Sequence, residues 1–130
     1  MSEASFQPEE PELRRQQSIQ GFCTLGAIGG FAAAAYWAGL TALIGVSGLS
    51  PLQMLLPFVL IALYGYRGYQ LMKGNVVAAK NLLWLHGLGA VMTIIQITGG
   101  IAAPVLLIVK VAIHVFGFAT ALLVLQKSKV

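Results

Sequence analysis

After Glu12 the chain contains no aspartate or glutamate. All four acidic residues, Glu3, Glu9, Glu10 and Glu12, precede the first apolar stretch. Proton relays and cation sites inside membranes usually rely on embedded acids. Carboxylate-paired hydrolysis, carboxylate metal sites and Ser-His-Asp chemistry also need one. The body of the chain is excluded from these classes, so no catalytic residue is assigned and the chain reads as non-enzymatic. Small four-span multidrug exporters are of similar size, but they need a membrane-embedded Glu in the first span, and this sequence has none there. Cysteine is almost absent as well. The single thiol, Cys23, excludes an internal disulfide and any Cys-based metal cluster, and no metal site is read. There is no internal repeat, so an inverted-repeat transporter has no support.

Charge of either sign is scarce, at 9% of residues against 58% hydrophobic, with a mean hydropathy of +0.82. Soluble domains carry roughly 25% charged residues, so a water-soluble fold would lack polar surface. A spanning helix needs about 20 mostly apolar residues, and the chain divides into four such stretches. The expected fold is an all-α membrane protein: an up-down-up-down bundle with spans at about 21–46, 52–72, 81–98 and 104–126. Residues 1–18 read as a polar, disordered cytoplasmic tail with at most a helical turn from Pro11 to Arg15, and 19–130 as a single transmembrane domain. The first apolar stretch is longer than the 7–15 residues of a signal-peptide core, which argues against cleavage.

The basic residues set the expected orientation. Arg14 and Arg15 precede the first span, Arg67, Lys73 and Lys80 flank the second connection, and Lys127 and Lys129 follow the fourth span. The connections around Ser47–Ser50 and Gly99–Ala103 are uncharged. Lys and Arg accumulate in cytoplasmic loops, so both termini read as cytoplasmic, and a bacterial inner (plasma) membrane is the natural setting. The net charge of +4 sits at span ends facing anionic head groups rather than on a soluble face, which argues against a nucleic-acid partner; the lipid bilayer is the expected one. Tyr64, Tyr66, Tyr69 and Trp84 read together as a cytoplasmic aromatic belt.

What remains polar at depth lies in the last two spans. His86, Gly89, Thr93 and Gln96 form one helical stripe, and Lys110, His114, Gly117 and Ala121 another. With the hairpin apex near Ile101, the two histidines differ in depth by roughly 3 Å at 1.5 Å per residue, and Thr93 and Lys110 are also nearly level. The stripes can face each other. Three explanations follow. Polar side chains can pair across helices as glue, at about 0.6 kcal/mol each. His86 and His114 can ligate a haem b iron axially, although directly adjacent helices 8–10 Å apart are tight for a macrocycle. Lys110 and His114 can instead bind an anionic or quinone-like ligand. Lys110 lacks an acid to pair with, and it must snorkel, deprotonate or meet water, a lipid phosphate, a ligand or a partner's acid.

In the first span Gly26, Gly30, Ala34 and Ala38 recur every four residues, a spacing that lets helices approach closely, either inside the bundle or against another protein. The preferred reading is therefore a small accessory or structural membrane subunit, without a cofactor, associating with a partner membrane protein or with itself. One alternative is a haem b- or quinone-binding subunit using His86 and His114. A second is a small oligomeric transporter or pore not coupled through embedded carboxylates.

Overall fold

Helix boundaries follow capping chemistry more closely than hydropathy. The computed structural model describes residues 10–45, 50–100 and 104–128, which form four helices: α1 Glu10–Ile44, α2 Pro51–Met72, α3 Val76–Thr98 and α4 Pro104–Ser128. Met1–Glu9, the centre of the first connection (46–49), the expected hairpin apex (101–103) and residues 129–130 lie outside the described residues.

α1 begins at Glu10, so Glu10–Ser18, read from composition as part of a disordered tail, is helical. Glu10 and Glu12 occupy the first turn, where negative charge complements the helix dipole. Arg14 pairs with Glu10 one turn below it. α2 opens on a capping box: the Ser50 hydroxyl accepts from the Gln53 N–H, and the Gln53 side chain accepts from the Ser50 N–H. Pro51 stands in the first turn, where its missing donor is no loss. α3 starts at Val76, five residues before the expected span, because the Asn75 side chain caps it by accepting from Val77 N–H. Gly74, at φ +88°, makes the turn between α2 and α3, a conformation that disfavours any residue with a Cβ.

Three helices, α1, α3 and α4, are long and apolar enough to cross a membrane. α2 coincides in extent with the expected second span but falls short of this standard. Its second half carries Tyr64, Tyr66, Arg67, Tyr69 and Gln70, which dilute the apolar run from Met54 to Leu63.

α1 packs along α2 and α4, α3 packs along α4 and more loosely along α2, and α1 barely meets α3. The four helices thus enclose a square. Small residues allow the closest approaches. A Cβ on Gly30 would lie 3.1 Å from the Gly68 Cα, and one on Gly29 would lie 2.9 Å from the Gly117 Cα. Contacts between α1 and α4 descend one helix as they climb the other: Arg15 donates to the Lys127 carbonyl at 3.3 Å, Gly29 meets Gly117, and Tyr36 donates to the Leu106 carbonyl at 3.3 Å. The core at the end bearing the basic residues holds Cys23, Leu71, Ala78, Ala79, Leu82, Ala121 and Val124. Leu55, Phe58, Val91, Ile94, Val105 and Val115 point outward and are exposed. An apolar exterior of this kind suits a lipid environment, since water-soluble monomers rarely expose continuous apolar surface.

Candidate functional site

Two copies of the same short pattern, His86-Gly-Leu-Gly89 on α3 and His114-Val-Phe-Gly117 on α4, meet at the middle of the bundle. In each, histidine and glycine are three residues apart and share a helix face. Each imidazole lies over the other helix's glycine: a Cβ on Gly89 would collide with the His114 ring, and one on Gly117 with the His86 ring. The glycines therefore create the space that the histidines fill. The two Nδ1 atoms are 3.2 Å apart, within hydrogen-bonding distance, and both rings are buried. Such a bond needs one Nδ1 as donor and the other as acceptor, so at least one ring is neutral. Among the described residues His86 Nε2 has no hydrogen-bond partner.

Tyr64 closes the pair from α2. Its ring centroid is 5.1 Å from that of His86 and 5.8 Å from that of His114, and its hydroxyl donates to the Leu85 carbonyl at 2.8 Å. This corrects its assignment to the aromatic belt: Tyr64 is buried, whereas Tyr66, Tyr69 and Trp84 are exposed on the outside. Tyr64, Gly68 and Leu71 are the buried face of α2, and the spacing by four and then three that links them was the sequence signal for this.

Toward the start of α4, Lys110 is only 6% exposed. Its ammonium donates to Gln96 Oε1 at 3.3 Å and sits 4.8 Å from the centroid of the Trp37 ring. Gln96, rather than the level Thr93, is its partner. The Thr93 hydroxyl is occupied by its own helix, donating to the Gly89 carbonyl at 2.6 Å. A cation–π contact of this kind contributes about 0.5–2 kcal/mol. Among the described residues the acids are Glu10 and Glu12, and Glu12 is roughly 37 Å along α1 from Trp37 at 1.5 Å per residue. The ammonium has no counter-charge at hand among the described residues.

Beside Lys110 lies a cavity of about 300 Å³. Its lining includes Trp37, Tyr64, Gln96, Lys110 and His114, together with the apolar Leu56, Leu60, Leu88 and Met92. Small-molecule sites are mostly apolar clefts of roughly 300–1,000 Å³ with a few convergent polar groups. Trp37 is the lining residue that sequence reasoning missed; it faces Lys110 across the α1–α4 contact, and nothing in its own spacing marks it.

The His86 and His114 rings contact each other and overlie the opposing glycines, so axial ligation of a haem between them would require α3 and α4 to separate. Among the described residues no group of three or more His, Cys, Asp or Glu is arranged to hold a metal.

The first-span stripe also has a place. Gly26 and Gly30 are buried, Gly26 against Leu71 and Thr120, Gly30 against Tyr64 and Gly68, and Ala34 approaches Gly65, while Ala38 is exposed. No protein family, curated protein or solved structure matches this chain.

Proposed function

We propose that the chain is a four-span, up-down-up-down protein of a bacterial inner membrane, with both termini cytoplasmic, that holds a small amphipathic molecule in the cavity beside Lys110. α2 is the fourth span in this reading. At 22 residues it extends roughly 33 Å, close to the 30 Å hydrocarbon thickness. Leu52, Leu55, Leu56 and Phe58 are exposed on it, and Tyr66, Arg67 and Tyr69 end it as interfacial anchors. The opposed α1–α4 contacts and the short connections support the alternating topology.

The observation that carries the binding function is a buried ammonium, without a counter-charge among the described residues, lining a cavity of ligand size. An interhelical glue role accounts for the histidine pair but leaves the cavity unexplained. The test is native mass spectrometry of the protein released from mild detergent. One small-molecule adduct per chain is expected on the wild type. Markedly less is expected on Leu60→Trp, which places an indole in the cavity. An adduct-free wild type, purified without delipidating steps, would count against the reading.

A second reading, the accessory subunit, draws on a different feature. Leu83, Trp84, Gly87, Val91 and Phe118 form an apolar groove on the outer faces of α3 and α4, suited to a neighbouring helix. The inward use of Gly26 and Gly30 removes most of the first-span stripe from that role. Recovery of monomer alone from mild detergent, with no co-purifying protein, would exclude it.

A further inference from the structure

We propose that the ligand of the Lys110 cavity is a mono-anionic amphiphile, a long-chain carboxylate, whose head group enters from the bilayer between α2 and α3 while its chain stays in lipid. This rests on the ligand-binding reading above and names its chemical class.

Four observations lead to it. First, the sign of the charge is fixed by Lys110, which lines the cavity and is 6% exposed. Its contacts, a neutral amide oxygen and an aromatic ring, compensate the ammonium only in part, and no acid follows Glu12 in the sequence. A neutral quinone would leave that charge unmatched; a carboxylate cancels it.

Second, the polar groups converge on a two-oxygen acceptor. An ammonium has three N–H donors, and Gln96 takes one. Gln96 and His114 line the same space, and an amide or an imidazole can each offer an N–H donor. A carboxylate can accept from Lys110 through one oxygen and from a neighbouring donor through the other, and charge-assisted bonds of this kind are the strong ones.

Third, the cavity is polar at the back and apolar at the mouth. Leu56, Leu88 and Met92 line it and are each more than half exposed on the outer surface. Of the adjacent helix pairs, α2 and α3 are the least closely packed, so the lateral way in from lipid lies between them.

Fourth, about 300 Å³ is the lower limit of small-molecule sites. It accommodates a head group and the adjoining part of a chain rather than a whole lipid or a macrocycle. The occupant must therefore extend beyond the protein, which the apolar mouth allows.

Trp37 lies against Lys110 and provides the reporter. With Trp84→Phe, Trp37 is the single tryptophan. The protein in nanodiscs of zwitterionic lipid is titrated with a brominated long-chain carboxylate, which quenches indole on contact, and with the brominated alcohol of the same chain. A short, water-soluble carboxylate is the third probe. Saturable quenching by the long-chain carboxylate is expected, about tenfold or more tighter than by the alcohol, since one charge-assisted bond separates them. Lys110→Met should abolish that preference and Lys110→Arg should keep most of it.

Equal affinity for carboxylate and alcohol would overturn the anionic assignment and leave the ligand-binding reading intact. Competition by the short carboxylate at equal concentration would overturn the lateral, lipid-borne source. Saturable quenching by neither brominated probe would overturn the carboxylate, and if the native mass spectrum is also adduct-free, the binding function with it. The wild-type carboxylate-to-alcohol ratio stands as a test even if Lys110→Met does not fold.

Discussion

Gly117→Ala places a methyl group where the His86 imidazole now lies. The α4 backbone at this point is held from the other side by α1, since Gly29 approaches the Gly117 Cα too closely for α4 to retreat from α3. The ring must yield, and its bond to His114 goes with it. Overpacking of a filled interior costs about 1–3 kcal/mol, and the lost hydrogen bond about 0.5–1.5 kcal/mol. Alanine in place of glycine within a helix returns about 1 kcal/mol. The expected net loss is about 0.5–3.5 kcal/mol. Reversible unfolding in mixed detergent–SDS micelles, followed by helical circular dichroism, measures it. Gly39→Ala is the control, because nothing lies within 4 Å of that position; it should be neutral or slightly stabilising. In a His86→Ala background the clash disappears, so Gly117→Ala should there cost nothing or stabilise. The cycle should show a coupling of about 1 kcal/mol or more. A Gly117→Ala protein as stable as wild type, with no coupling to His86, would refute the proposed interlocking of histidine and glycine.

Three further outcomes are expected. Protein expressed with adequate haem supply and purified in mild detergent should have a featureless visible spectrum, before and after dithionite, because the two imidazoles bond to each other; a Soret band that sharpens on reduction would require α3 and α4 to separate. Gly74→Ala, at φ +88°, should destabilise the protein by about 1–2 kcal/mol, read in the same SDS titration, although no side chain opposes the added methyl; a neutral result would mean the turn relaxes. Reporter fusions after Lys127 and within the Gly74 turn should both read cytoplasmic, whereas one inserted at Gly100 should not; any other pattern would overturn the four-span reading, α2 included.

The helical class was legible because it follows from composition: a chain this apolar, cut by Pro, Gly and uncharged turns, has few ways to satisfy its backbone in lipid. The ends of the helices were less so. Hydropathy marks where a segment is apolar, whereas Ser50, Asn75 and the Glu10–Arg14 pair decide where a helix starts, and two of these starts lie outside the apolar runs. The same limitation explains α2, whose aromatic and charged second half falls below a spanning composition while its outward face stays apolar.

The histidine pair was within reach of the sequence, because periodicity and a hairpin place His86 and His114 at one level on facing stripes. Periodicity does not say how closely the helices approach. It left room for haem, glue or a ligand, and only the tertiary structure, by seating each ring on the opposing glycine, brings the nitrogens to 3.2 Å. Tyr64 and Trp37 show the other boundary. A tyrosine three residues from an arginine looks like an interfacial anchor whichever way it points, and its burial depends on which face of α2 meets α1 and α3. The missing acids determined from sequence alone that no apolar stretch holds a carboxylate for Lys110, since a count of residue types needs no coordinates. That Lys110, without a counter-charge among the described residues, lines a cavity depends on the packing of four helices at once, a property no single segment carries.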